Sequence, residues 1–297
     1  MLIAIYTMLI IGIFQMIVNI WKYIEFLHSL RDVLSTGRGR VRIWKYIALL
    51  LLIFFFIGYV ITVIRGNTDI ITASILFGGS IFVAIMLTIM FMLMNRTKER
   101  SLDIAELLIG VIDARDPNLN GHSRHVQQLT MLIYDYLPHN MQYNLNAVSL
   151  EYAALMHDVG KLGVPESILN KPDKLDKTEW LIMKRHPEIG VSILEPLQSF
   201  NNIMPWILYH HERIDGKGYY GLKGKKIPLA SRIIAVADTY SAITMKRSYK
   251  NSRSHDEAIK ILKEVAGTQL DKDIVKIFCK IPKDLILECS PEKIEFS

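Results

Sequence analysis

Three apolar runs in the first 94 residues constrain this chain more than any other feature. Met1 to Ile20, Tyr46 to Ile64 and Ile70 to Met94 contain no charged side chain. Backbone carried into hydrocarbon must satisfy its own hydrogen bonds, and a single segment does so as an α-helix. As a helix rising ~1.5 Å per residue, Tyr46 to Ile64 reaches about 28 Å, close to the hydrocarbon thickness. The third run is longer and has room to tilt. A cleaved signal peptide fits the first run poorly. It has no basic leader, and Ile17-Val18-Asn19-Ile20-Trp21 offers no small-residue cleavage site. The expectation is a three-helix transmembrane region over residues 1–94, with helices at about 1–20, 46–64 and 70–94.

Basic residues set the expected orientation. Lys22, Arg31, Arg38, Arg40, Arg42 and Lys45 lie between the first two runs, and Arg96, Lys98 and Arg100 follow the third. Only Arg65, offset by Asp69, lies between the second and third. The positive-inside rule then places the N-terminus outside and everything after Met94 in the cytoplasm. Trp21, Trp44 and Tyr46 stand where interfacial aromatics are expected. The net charge of +6 is concentrated near the membrane, which points to the anionic headgroups of a lipid bilayer as a partner. No interleaved basic–aromatic pattern argues for a nucleic acid polymer. Arg65 to Asp69 is too short for an external sensing domain. Cys279 and Cys289 have no metal-ligand spacing and suggest no disulfide framework.

Residues 95–100 form a charged junction without Pro or Gly, so the third span is able to run on into a first cytoplasmic helix bearing Ile104, Leu108, Val111 and Ile112 on one face. Asp116-Pro117-Asn118 ends that helix. Further helices are expected at about His122 to Leu137, through Leu150 to His157, at about Lys177 to Arg185, Ile203 to Glu212 and Leu229 to Thr244, then Ala258 to Val265 and Ile274 to Phe278. His186 precedes Pro187 and so falls at a helix junction. Alternating strands are missing from the sequence. Residues 101–297 are therefore read as an all-α bundle.

Five of the nine histidines fall into one series with two aspartates: His122, His157-Asp158, His186, His210-His211 and Asp238. Neutral imidazole and carboxylate together suit iron, manganese or zinc, and the set is larger than one ion can use. A two-metal hydrolytic site is the expectation.

The context of these residues is specific. His157-Asp158-Val159-Gly160-Lys161, Asn170-Lys171-Pro172, His186-Pro187-Glu188-Ile189-Gly190, His210-His211-Glu212-Arg213-Ile214-Asp215-Gly216 and the stretch Ile227 to Asp238 resemble the HD-GYP family over residues 101 to 280. The resemblance implies an all-helical phosphodiesterase hydrolysing the bacterial second messenger cyclic di-GMP, a cyclic dinucleotide, to linear pGpG or GMP; the apolar runs and basic residues would hold it at the inner face of the bacterial cytoplasmic membrane. It implies two divalent cations, iron or manganese, held by His122, His157, Asp158, His186, His210, His211 and Asp238, with Asp158 bridging. A third ion in some relatives uses a Glu four positions before the first His. Asn118 stands there in this chain. Lys161 matches a position that holds a phosphate oxygen. Arg247 and Lys250 match a basic pair that receives the dinucleotide, and Tyr219 lies in the loop that names the family. Asp215 is assigned to support of the site or to carrying a proton. The chemistry implied is in-line attack by water activated by the two cations.

One departure stands out. Gly218-Tyr219-Tyr220-Gly221 replaces the usual Gly-Tyr-Pro loop and is one residue shorter. Loss of Pro removes a fixed φ, so the expectation is a freer loop and an altered substrate fit. Two other functions stay open on the sequence: a non-enzymatic cyclic dinucleotide receptor, and an HD-type phosphohydrolase of another cyclic dinucleotide. Signalling of this type often involves dimers, so a homodimer is a further expectation.

Overall fold

The structure, a computed structural model, describes residues 2–33, 39–66, 68–115, 121–245 and 252–289. Cα packing divides the chain into two compact units, Met1–Arg100 and Ser101–Ser297. Three helices begin the chain: α1 (Leu2–Val33), α2 (Gly39–Arg65) and α3 (Ile70–Arg115). Each contains a span long and apolar enough to cross a membrane, Leu2–Leu27, Tyr46–Arg65 and Ile70–Arg96. α1 outlasts its expected end near Ile20 because no helix breaker occurs before Val33. α3 passes without interruption through the charged junction, as the absence of Pro and Gly there predicts.

Within the first unit, Leu9, Met16, Tyr59 and Ala73 are buried, while Phe14, Phe54 and Phe82 face outward. An outward apolar surface is what lipid requires. Between apolar helices in lipid, polar contacts specify the register. Asn19 of α1 is fully buried and donates from Nδ2 to the carbonyl of Ser80 in α3 at 3.0 Å, while Gln15 Nε2 donates to its Oδ1. Tyr59 donates its hydroxyl proton to the carbonyl of Leu76. Trp21 and Tyr46 are exposed; the side chain of Trp44 lies outside the described residues.

The second unit continues with α4 (His122–Asp135), α5 (His139–Gln142), α6 (Ala147–Leu155), α7 (Glu166–Leu169), α8 (Lys177–Met183), α9 (His186–Leu194), α10 (Met204–Leu208), α11 (Leu229–Thr244), α12 (His255–Val265), α13 (Lys272–Phe278) and α14 (Lys283–Glu288). Every regular element among the described residues is helical, apart from one isolated bridge between Ala266 and Leu270. The all-α class holds. α4 packs on α6 and α11, and α11 also packs on α12 and α13. Val126, Leu129, Ile133, Leu150, Ile233 and Phe278 are fully buried, each side chain contributing about 1.5–3 kcal/mol. The buried stripe of α3 in this unit is Ala105, Ile109 and Ile112. Val111, expected on that stripe, is exposed, since it lies about 100° around the helix from Ile112.

Four helices stop earlier than periodicity suggests: α4 at Asp135 and α8 at Met183, and two that lead into the histidine series. α6 ends at Leu155, before His157, and α10 ends at Leu208, before His210 and His211. A short 3₁₀ turn, Val159–Gly163, then packs against α9. Gly160 and Gly190 meet there: a Cβ on Gly160 would lie 2.5 Å from the Gly190 nitrogen. Arg115, at the end of α3, donates to the carbonyls of Leu162 and Val164 and so ties down the same turn.

Candidate metal centre

Most of the predicted ligands stand at helix ends. His122 opens α4, His157 and Asp158 follow α6, His186 opens α9, and His210 and His211 follow α10; Asp238 alone sits within a helix, α11. At an end, neighbouring side chains escape the roughly 100° rotation per residue that a helix imposes. The rings of His210 and His211 accordingly lie 4.0 Å apart.

The structure brings all seven together. His186 Nε2 lies 3.2 Å from Asp158 Oδ1 and His210 Nε2 lies 4.0 Å from it. His157 Nε2 is 3.3 Å from Asp158 Oδ2, and His122 Nε2 is 3.2 Å from Asp238 Oδ1. Their atoms form two groups, Asp158 with His186, His210 and His211, and His122 with His157 and Asp158, each within 4.8 Å. Asp158 belongs to both.

The imidazoles are preset. Nδ1 of His157, His186 and His210 donates to the carbonyl three residues earlier, Ala154 at 2.8 Å, Met183 at 2.9 Å and Ile207 at 2.6 Å. A carbonyl only accepts, so each Nδ1 carries the proton and each Nε2 turns its lone pair toward the centre. His122 differs. Its Nδ1 lies 2.8 Å from Ser241 Oγ, which is also 2.9 Å from Nδ1 of buried His125. One hydroxyl has one proton, and Ser241 Oγ also lies 3.2 Å from Met245 Sδ, so it donates to one of these neighbours and accepts from the imidazoles that donate to it. Sequence reasoning assigned His125 no chemistry. Its signals were spacing: His125 follows His122 by three on α4, as Ser241 follows Asp238 by three on α11.

Burial lowers the pKa of His122, His210 and His211, the last to about 3, and keeps these rings in the neutral form that binds metal. Burial pushes the carboxyls of Asp158 and Asp238 upward. Lys161 and the neighbouring rings at Asp158, and the His122 hydrogen bond at Asp238, outweigh it and hold both well below the usual carboxylate range. At His157 burial also lowers the pKa, but the Asp158 charge prevails and raises it. Asp158 Oδ1 and His157 Nε2 are buried without a hydrogen bond. That deficit, among neutral imidazoles and ionised carboxylates, fits a cation. The cluster is able to bind metal.

Around it, Lys161 Nζ lies 2.6 Å from Asp158 Oδ2. The Tyr219 ring sits 4.8 Å from that of His211 and 6.4 Å from that of His186, and burial pushes its phenol up to about 12. Asp215 is paired with Arg213 at 2.8 Å and accepts from the Lys217 backbone at 3.0 Å. The Arg213 hydrogen bond lowers its carboxyl to about 2. Such a group stays ionised at neutral pH, and its bonds to Arg213 and the Lys217 backbone shape the loop. Arg247, Lys250 and Asn118 lie outside the described residues.

The loop after Gly218 is tethered, contrary to the expectation of added freedom. The Tyr220 backbone N–H donates to Glu212 Oε1, and its ring packs 5.8 Å from that of Tyr209. Proline lacks that N–H. Replacing it exchanges a fixed φ for a hydrogen bond to a buried carboxylate.

The sequence profile of the HD domain family matches residues 99–274. The chain belongs to the HD domain family. Its HD domain holds all seven predicted ligands and every motif, from His157 to Asp238, that carries the HD-GYP resemblance. The chain is 36% identical over 184 residues to 3′3′-cGAMP-specific phosphodiesterase 1 of Vibrio cholerae, covering 61% of this chain and 42% of that one. It is 36% identical over 192 residues to a cyclic di-GMP phosphodiesterase of the same organism, covering 60% and 39%. To a cyclic di-GMP phosphodiesterase of Thermotoga maritima it is 34% identical over 188 residues, covering 62% and 50%. It thus spans half or less of the length of these three relatives.

Proposed function

We propose that the chain is a metal-dependent phosphodiesterase that opens cyclic dinucleotides, cyclic di-GMP foremost, at the cytoplasmic face of the membrane its first three helices cross. The observation that carries this reading is the sharing of Asp158 between two groups of metal-ligating atoms. A carboxylate has two oxygens and can serve two cations, whereas neutral imidazole offers one nitrogen. Asp158, His186, His210 and His211 would hold one divalent ion; His122, His157 and Asp158, with Asp238 beside His122, would hold the other. Iron or manganese suits these ligands.

When bound, such cations offset charge on a phosphodiester and acidify water. The protein's own residues do the rest. Lys161, a compact charge beside Asp158, holds a non-bridging phosphate oxygen. Tyr219 remains a protonated phenol at neutral pH and donates toward the substrate from beside His211. Asp215 and Arg213 fix the loop that follows His211, and Arg247 and Lys250 receive the dinucleotide ring. Water's oxygen bonds to phosphorus as the bond to the 3′ oxygen breaks; water gives up one proton and the 3′ oxygen takes up one, so one water is consumed per bond opened. Support for the substrate class comes from the cyclic di-GMP and 3′3′-cGAMP phosphodiesterases among the relatives. The cytoplasmic orientation rests on the basic residues following the first and third spans.

The test uses the full chain, purified anaerobically in detergent and loaded with manganese or ferrous iron. Cyclic di-GMP should give pGpG or GMP, with 3′3′-cGAMP run in parallel. A preparation holding two metal equivalents that leaves both intact refutes the reading.

A further inference from the structure

α8 is a helix that buries none of its residues. Its start is nevertheless firmly built. Asp176 and Glu179 form a reciprocal capping box, and Lys171 Nζ reaches both oxygens of Glu179 at 2.8 and 2.6 Å. A capped helix that contributes little to the core is there to present something. What it presents is Trp180, 49% exposed, with Lys184 one turn on. The indole stands edge-on to Tyr219, ring centroids 6.5 Å apart at 86°, and Lys184 Nζ lies 5.0 Å from the Tyr219 ring centre. Tyr219 in turn rests on His211. The order outward from the metal-ligating atoms is imidazole, phenol, then indole and ammonium.

We propose that Trp180 and Lys184, with Tyr219, form a purine-binding subsite in which a base attached to the reacting phosphodiester stacks on the indole. This rests on the phosphodiesterase reading and extends it to the recognition of the base. An indole offers a large flat face with little entropy to lose, and stacking on an aromatic side chain strengthens binding about tenfold or more per base. The Lys184 ammonium, beside the Tyr219 ring, meets a phosphate oxygen of the same nucleotide. Neither side chain belongs to the buried core, and beyond its edge contact with Tyr219 the half-exposed indole of Trp180 has surface left for a base.

The test is a binding measurement that needs no turnover. Metal-loaded full-length protein is dialysed to equilibrium against GMP and, separately, against ribose 5-phosphate, which lacks the base. The wild type should bind GMP about tenfold or more tightly than ribose 5-phosphate. Trp180→Ala should erase most of that difference by weakening GMP alone, Trp180→Phe should restore much of it, and Lys184→Ala should weaken both ligands. Metal content and helical circular dichroism confirm that each variant is folded. Equal wild-type affinity for the two ligands, or a GMP affinity within twofold of wild type in Trp180→Ala, overturns the subsite. Loss of the phosphodiesterase reading looks different: wild-type protein would then leave cyclic dinucleotides intact whatever Trp180→Ala does to GMP.

Discussion

Replacing Gly160 with alanine should destabilise the second unit and, on the proposed two-ion reading, empty one of the two metal positions. The added Cβ would overlap the carbonyl oxygen of His186 and lie 2.7 Å from its carbon and 2.5 Å from the Gly190 nitrogen. All three are backbone atoms, so no side-chain rotation relieves the contact. Ordinary carbon contacts need roughly 3.5 Å, and the Val159–Gly163 turn must retreat from α9 by about 1 Å or more. Overpacking of this kind costs about 1–3 kcal/mol, and a rigid partner favours the upper end. For a unit of this size, about 3 kcal/mol lowers Tm by roughly 6–12 °C. The same retreat widens the 3.2 Å between Asp158 Oδ1 and His186 Nε2. The group containing His186, His210 and His211 should lose its ion first, while His122, His157 and Asp158 keep theirs. Both cysteines, Cys279 and Cys289, are partly buried in the second unit, so a thiol-reactive dye reports its melting even in the full chain. Metal analysis on the same sample counts equivalents. A Tm within about 2 °C of wild type with unchanged metal content would refute the argument that turn and α9 are held at closest approach.

Asp158→Ala removes the residue common to both groups and should abolish hydrolysis of cyclic di-GMP with loss of both metal equivalents, whereas Asp238→Ala should weaken chiefly the ion near His122; metal titration distinguishes them. Burial, reinforced by nearby His122, holds His125 down to about 4 from 6.5, so between those values the unfolded chain binds a proton that the folded chain refuses. Stability of the metal-free protein should therefore be full above about pH 6.5 and fall on acidification, by about 2 kcal/mol at pH 5 from this group; His125→Gln should flatten the pH dependence of the unfolding midpoint, and an unchanged slope would exclude His125 as its source. Tyr220→Pro restores the ring that fixes φ but deletes the N–H held by Glu212, whose other oxygen is already unpartnered. It should lower the Tm of the second unit by several degrees, the effect of about 1–3 kcal/mol for a stranded buried acceptor, instead of rigidifying the loop.

The parts legible in the sequence were those carried by residue type and local order. Uncharged runs such as Tyr46 to Ile64 admit only helix in lipid, and α2 covers that run. Val126, Leu129 and Ile133 repeat at helical spacing, and α4 buries them. The seven residues that converge in the cluster were legible because His and Asp in motif context keep their identity wherever the chain folds. What escaped was contact between distant segments. Ser241 lies 119 residues from His122 and 116 from His125, yet it bonds to both. Trp180 meets Tyr219 only because α8 and the glycine loop pack together. The Tyr220 loop was misjudged for a related reason: a rule about φ was applied, while the N–H that proline lacks found a partner in Glu212.

Two of the helix ends placed too late, those of α6 and α10, share one cause, and it can be turned into a rule. Periodicity carried α6 on to His157 and α10 on to Glu212, because apolar spacing continues and no Gly or Pro intervenes. Yet adjacent residues in a helix point about 100° apart, so a helix cannot aim both members of His157-Asp158 or of His210-His211 at one ion cluster. Once both members of a doublet are assigned as ligands, the helix must already have ended. The structure obeys this at both places, with α6 stopping two residues before His157 and α10 two residues before His210. The released turn then bonds Nδ1 of His157 to Ala154 O and Nδ1 of His210 to Ile207 O. Those carbonyls lie in the last turn, where the regular i+4 donor is missing, so ending the helix leaves a lone pair for the ring and orients it; the Ile207 carbonyl also accepts from the His210 backbone N–H.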